Sequence, residues 1–127
     1  MEVARKKILI VDDDPAVLAL LVTKIGSRYY VVTSSDSSKA LEMARHELPD
    51  AILCDIDMPG LTGGDVAAQL KADPKTAGIP LVYLTSMVSP EETKDMGGLV
   101  GGRPGVSKRA PLAELVRVID RVTGGPY

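Results

Sequence analysis

The chain has 127 residues, of which 45% are apolar and 25% charged. That is the balance of an ordinary one-domain globule, and it excludes a disordered tail, a collagen-like repeat and a disulfide-stapled miniprotein. Fifteen Lys and Arg against 17 Asp and Glu leave a formal net charge of -2, which gives no electrostatic reason to expect a nucleic-acid or anionic-membrane partner.

The start, Met1 to Lys7, leads into four strongly apolar residues, too few for the apolar core of a signal peptide. No apolar run approaches the roughly 20 residues that cross a bilayer. With one cysteine, Cys54, and one histidine, His46, neither a disulfide within the chain nor a Cys- or His-cluster metal site can form. A cytoplasmic setting is expected.

The first strand is Ile8-Leu9-Ile10-Val11, a continuous apolar run suited to burial on both faces of a parallel sheet. Asp14-Pro15 then reads as a cap and first-turn proline, followed by Val17, Leu18, Leu21 and Ile25 at helical spacing, with Gly26 ending the helix. Tyr29 to Thr33 is a second strand, nearer an edge. Ala40, Leu41, Ala44 and Leu48 mark the second helix. Ala51 to Cys54 is the third strand and Val66, Ala67 and Leu70 mark the third helix. Leu81 to Leu84 is the fourth strand, and Ser89-Pro90-Glu91-Glu92 is a capping box opening a short fourth helix. Gly97 to Gly105 holds five glycines in nine positions and reads as a flexible loop; neither dinucleotide nor P-loop fingerprint occurs there. Gly105-Val106-Ser107 is a weak fifth strand. Leu112, Leu115, Val116, Ile119 and Val122 stripe the last helix, with Pro111 in its first turn.

Strands alternating with helices imply right-handed crossovers and a parallel sheet covered on both faces. Ligands bind such sheets outside the carboxyl ends of the strands. The residues there are Asp12 and Asp13 after strand one, with Asp14 assigned to the helix cap. Asp55 and Asp57 follow strand three, Thr85 and Ser86 strand four, and Lys108 strand five. Two carboxylates about 4 Å apart cost about 4 kcal/mol at an effective dielectric near 20, so either some are protonated or a cation sits among them. Oxygen-only ligands at an open rim suit Mg²⁺. A divalent ion, an ammonium and a hydroxyl around a carboxylate describe a phosphoryl-transfer site in which the carboxylate is the nucleophile. Read singly, each residue has a plainer use: the aspartates as helix caps, Asp55 to Gly60 as a turn, Lys108 as a solvated end. Cys54 reads as a small packing residue, His46 as a residue of a wet helix face and Tyr83 as core filling.

These residues resemble the receiver domain of bacterial two-component response regulators over about residues 6–123. Ile8 to Pro15 resembles the family's first strand and acidic pair. Asp50 to Gly60 resembles the phosphoacceptor strand with its Asp-x-x-Met-Pro-Gly turn. Ile79 to Ser86 resembles the strand ending in a hydroxyl, and Val106-Ser107-Lys108 the strand carrying the lysine. The resemblance implies a flavodoxin-like doubly wound α/β fold, a five-stranded parallel sheet in the order 2-1-3-4-5; a receiver is among the standing examples of that order. It implies that Asp55 is phosphorylated, and that Asp13, Asp55 and the main-chain carbonyl of Asp57 ligate Mg²⁺ while Asp12 acts through metal-bound water. Thr85 and Lys108 would bind the phosphoryl group. The donor would be a phosphohistidine on a sensor histidine kinase or phosphotransfer protein. Output would pass to a downstream protein through the face of helix four, strand five and helix five. Expected with these are a single domain over residues 1–127 with no output segment, no nucleic-acid or membrane partner, a monomer or weak homodimer, and no enzymatic turnover beyond the chain's own phosphorylation and dephosphorylation.

Three departures stand out. Arg109 follows Lys108 where the family usually has proline, so the aim of the lysine must be set some other way, with Pro111 two residues later as the candidate substitute. Gly105 stands where the family often has an aromatic residue, so a threonine-aromatic relay cannot operate. The glycine-rich segment replaces the normal end of helix four, so switching by ordering of residues 96–107 is expected. Met87 lies beside the family's path for hydrolytic water and bonds water poorly, which predicts a persistent phosphoryl group. Two alternatives stand beside this reading. One is a docking module of the same fold that works without phosphorylation. The other is a haloacid dehalogenase-type phosphatase, suggested by Asp55-Ile56-Asp57, although in those enzymes the second acidic pair follows the lysine.

Overall fold

Apolar runs that are continuous in sequence become strands with no exposed face. In the computed structural model, which describes residues 5–86, 99–100 and 103–125, every residue of Ala51–Asp55 (β3) and Leu81–Thr85 (β4) is buried. Lys7–Val11 (β1) lies between β3 and Tyr30–Ser34 (β2). Leu99–Val100 (β5) and Arg103–Ser107 (β6) complete the sheet, whose order is β2-β1-β3-β4-β6-β5. The first five in that order pair in parallel. This is the expected 2-1-3-4-5 arrangement with one short strand added at the edge.

The added strand corrects the reading of the glycine-rich stretch as plain loop. Leu99 pairs antiparallel with Pro104 and Val100 with Arg103, so β6 begins at Arg103, two residues before the expected Gly105. Only Gly101 and Gly102 separate the two strands in sequence, and Gly-Gly is a favoured link for a two-residue hairpin. The expected fourth helix at Ser89 and the expectation for Met87 lie outside the described residues.

The helices follow their start signals. Pro15–Ile25 (α1) is capped by Asp14, whose carboxylate accepts from the Ala16 amide. A 3₁₀ turn, Ser37–Lys39, leads into Ala40–Glu47 (α2). Leu48 does not extend the buried stripe as expected: it takes a left-handed φ of 46° and is 58% exposed. The residue before a proline is disfavoured in the helical region, and Pro49 forces the chain out at that point. Gly63–Ala72 (α3) opens with a reciprocal capping box between Thr62 and Asp65. Leu112–Thr123 (α4) has Pro111 at its N-cap, one position before the expected first turn.

Alternation along the strands splits the interior in two. Ile8, Ile10, Leu53, Val82, Leu84 and Val106 face α1 and α4, meeting Leu21, Ile25, Leu115 and Ile119. Leu9, Val11, Ile52, Cys54, Leu81 and Tyr83 face α2 and α3, meeting Ala44, Val66 and Leu70. Each large aliphatic side chain buried this way contributes about 1.5–3 kcal/mol, enough to fix the register, since a one-residue slip would exchange the two faces.

Candidate functional site

Register brings the strand ends together. Val11 lies opposite Cys54, Asp55 opposite Leu84, and Thr85 opposite Ser107. The residues that emerge side by side at the carboxyl rim are therefore Asp12 and Asp13, Asp55, Thr85 and Lys108. Backbone bonds extend each strand into its loop: the Asp12 amide donates to the Ser34 carbonyl and the Lys108 amide to the Thr85 carbonyl.

Asp12 is fully buried, and its Oδ1 accepts from the Asp14 amide at 2.9 Å. Its Oδ2 lies 2.8 Å from Lys108 Nζ. The same ammonium is 3.2 Å from Asp55 Oδ2, so one cation bridges two buried carboxylates. The remaining Asp55 oxygen, Oδ1, accepts from the Asp57 amide at 3.3 Å. Asp13 is exposed at the rim, and carboxylate oxygens of Asp12, Asp13 and Asp55 lie within 4.8 Å of one another. Thr85 is buried beside them at the end of β4. Asp57 is exposed and its carboxylate stands outside the cluster of three.

Lys108 reaches this position with Arg109 behind it. Ser107 holds the turn: its Oγ accepts from the Arg109 amide at 3.1 Å and its carbonyl from the Ala110 amide at 3.0 Å. All peptide bonds among the described residues are trans. The aim of Lys108 thus comes from the β4-β6 ladder and Ser107, while Pro111 serves as the cap of α4.

The charges do not balance. Among the described residues, three carboxylates face one ammonium. Burial and the charge of Asp12 push the Asp55 carboxyl above its ordinary range, and the Asp57 amide and Lys108 pull it back in part. Burial alone would lower the Lys108 ammonium, but its bonds and charge contacts with Asp12 and Asp55 outweigh that and raise it. An arrangement that destabilises its own anion, with hard oxygen donors on an open rim, fits a divalent cation of the Mg²⁺ type.

Two contributors escaped the sequence reading. Ser37, 4% exposed, bonds with its hydroxyl to the loop after Asp55, 22 and 24 residues away along the chain. Gly63 packs against the same loop, and a β-carbon there would lie 2.6 Å from the Asp55 carbonyl oxygen. Neither has a local signal, because both contacts depend on the closed fold. Cys54, His46 and Tyr83 take the plain roles expected: Cys54 is buried in the α2-α3 core, His46 has an 84% exposed side chain and Tyr83 is in the core.

Comparison with known proteins agrees with this geometry. The family model described as the response regulator receiver domain matches residues 8–120. The response regulator PleD of Caulobacter vibrioides is 46% identical over 82 residues, 64% of this chain but 18% of PleD. The protein PilH of Pseudomonas aeruginosa is 32% identical over 120 residues, covering 94% of this chain and 98% of PilH. Among solved structures, the receiver domain of a Pseudomonas aeruginosa sensor histidine kinase superimposes with a TM-score of 0.78 at 25% identity. That match covers 96% of this chain and all of the other, which holds a magnesium ion in its active site cleft.

Proposed function

The chain belongs to the response regulator receiver domain family, and on that premise we propose that it is a phosphoacceptor of two-component signalling. Asp55 is the residue phosphorylated, and a phosphohistidine of a sensor kinase or phosphotransfer protein is the donor. The observation that carries this reading is the bridging of Asp55 and Asp12 by Lys108 beside the exposed Asp13.

Mg²⁺ would be held by Asp13, Asp55 and the main-chain carbonyl of Asp57, with Asp12 acting through metal-bound water. When bound, it supplies positive charge against the crowded carboxylates and the phosphoryl oxygens. The chain's own residues do the rest. The Asp57 amide on Oδ1 and Lys108 on Oδ2 fix the rotation of the Asp55 carboxylate. An Asp55 oxygen forms the new P–O bond as the P–N bond of the phosphohistidine breaks, and the electron pair leaves with the imidazole nitrogen. Lys108, already at the rim, pairs with the transferred phosphoryl group, and the Thr85 hydroxyl donates to it. Dephosphorylation is a separate step: water attacks phosphorus, the bond from phosphorus to the Asp55 oxygen breaks, and the Asp55 carboxylate and inorganic phosphate are released. The chain turns over no other substrate in this reading.

Phosphorylation adds about -1.5 to -2 charges at the rim. A nearly complete switch takes about 5.5 kcal/mol of differential stabilisation, supplied by the new contacts of Thr85 and Lys108. Those residues end β4 and follow β6, so the face formed by β6 and α4 is the one that reports to a downstream protein. Among the described residues no helix is long and apolar enough to cross a membrane.

The test is single-turnover labelling by acetyl phosphate. One phosphoryl group per chain is expected with Mg²⁺, none with excess chelator, and none in Asp55→Asn. An unlabelled chain that still binds a partner would establish the phosphorylation-independent docking module instead. Continuous hydrolysis of a generic phosphate ester would establish the phosphatase.

A further inference from the structure

We propose that Ser37 is a positioning residue for the metal site: its buried hydroxyl holds the loop after Asp55 in the shape that binds a divalent cation. This rests on the phosphoacceptor reading for the identity of the site, and it adds a residue from a different part of the chain.

The loop runs from Ile56 to Thr62 and carries Asp57. Its two ends are fixed by backbone bonds, from the Ile56 amide to the Leu84 carbonyl at 3.3 Å and from the Gly63 amide to the Ile56 carbonyl at 2.8 Å. The Asp57 amide adds a bond to Asp55 Oδ1 at 3.3 Å, and beyond it the stretch around Gly60 is held from outside β3 and α3. There, Ser37 Oγ accepts from the Leu61 amide at 3.1 Å and donates to the Pro59 carbonyl at 3.3 Å. Both partners lie across Gly60, whose φ of 81° is the left-handed turn that lets the two groups converge on one oxygen. Met58 pins the same stretch by burying its side chain, 6% exposed, in the α2-α3 core.

Ser37 itself is immobilised. It opens the 3₁₀ turn capped by Asp36, whose carboxylate accepts from the Ser38 amide. That turn follows β2, two strands away from β3 in the sheet. The hydroxyl thus ties the Asp57 loop to a capped turn from a different part of the chain. A loop fixed before its ligand arrives spares binding the entropy of ordering it. The main-chain carbonyl of Asp57 stands two residues from the clamped Pro59 carbonyl, close enough in the chain for the clamp to set its direction. The backbone of Asp55 is placed by β3 and Lys108 by the ladder of β6 with β4, and the Asp57 amide that holds Asp55 Oδ1 adjoins the end of the loop fixed at Ile56, not the stretch held by Ser37. The clamp therefore governs affinity for the ion and leaves the phosphoryl-transfer step alone.

The experiment uses the full chain, with Mg²⁺ binding measured by calorimetry and labelling by acetyl phosphate measured across Mg²⁺ concentrations. Ser37→Ala is expected to raise the Mg²⁺ dissociation constant roughly tenfold, the size of effect seen when a support behind a ligand is removed. The labelling rate at saturating Mg²⁺ is expected within twofold of wild type. Gly60→Ala strains the same turn from the other side; its β-carbon would meet nothing nearer than Ser37 Oγ at 3.6 Å, and it is expected to shift the Mg²⁺ constant in the same direction. It decides the matter if Ser37→Ala does not fold. Unchanged Mg²⁺ binding in a folded variant overturns the proposal, as does a labelling rate that stays depressed at saturation. A wild-type chain that binds Mg²⁺ but takes no label refutes the phosphoacceptor reading, and the calorimetric comparison still decides the role of Ser37.

Discussion

Asp55 carries its charge at a cost that its surroundings only partly repay. Burial and Asp12 raise its carboxyl, so folding makes the ionised form costlier than it is in the open chain. The ionised group therefore weakens the metal-free fold at neutral pH. Asp55→Asn, which leaves Lys108 paired with Asp12, is expected to melt above wild type without divalent ions by about 1 kcal/mol, or roughly 3–6 °C. A raised carboxyl gives stability that is present at low pH and lost as pH rises through the folded-state value. The advantage of Asn should accordingly vanish on acidification, which thermal melts across pH will show. Cys54, the next residue back, runs the same way: burial first, then the charges of Asp55 and Asp12, push its thiol from 9.0 up to about 12. It is expected to stay unalkylated by iodoacetamide in the native state at pH 8 and to react freely in denaturant. Stability linked to that thiol falls away between pH 9 and about 12.

At the scale of elements, the start of α3 decides how closely the helix approaches the site. A β-carbon on Gly63 would lie 2.6 Å from the Asp55 carbonyl oxygen and 2.9 Å from Ile56 Cα, both backbone atoms that cannot step aside. Gly63→Ala should cost about 1–3 kcal/mol and weaken labelling of Asp55. Gly64→Ala meets nothing closer than Thr62 Oγ1 at 3.7 Å, and should be neutral or stabilising by up to about 1 kcal/mol. Denaturant unfolding of the pair separates close approach from helix propensity. The helices were legible where a cap or an apolar period was present, as with Asp14-Pro15 and the stripe of α4. The hairpin of β5 and β6 was not, because five glycines lower intrinsic strand preference and pairing to β4 and to each other overrides it. Leu48 was misplaced because its spacing continued the stripe while Pro49 ended the helix.

Across the whole molecule the sheet separates chemistry from anchorage. The carboxyl ends of the strands hold the acidic cluster. At the amino end Lys6, just before β1, reaches the far end of α4: Nζ contacts Asp120 Oδ1 at 3.3 Å, Thr123 Oγ1 at 2.6 Å and the Gly125 carbonyl. A buried ammonium on the carbonyl end of a helix stabilises it, and its removal strands Asp120. Lys6→Ala is expected to cost about 2 kcal/mol in denaturant unfolding while labelling of Asp55 under native conditions is unchanged. The strand-end residues Asp12, Asp13, Asp55, Thr85 and Lys108 could be found from sequence because a parallel sheet fixes where strands end. Ser37 and Lys6 could not, because their partners lie in other parts of the chain and no short-range pattern announces them.

The two-residue lip formed by Leu99 and Val100 alters what the border of the sheet offers to strangers. It pairs with Arg103 and Pro104, and among the described residues Gly105 to Ser107 of that strand have no strand partner on the outer side. Fibril growth is templated by stretches of about six or seven residues, and three cannot seed it. At this border the short added strand thus leaves a described run below that length, while the five residues of β2 form the opposite border of the sheet.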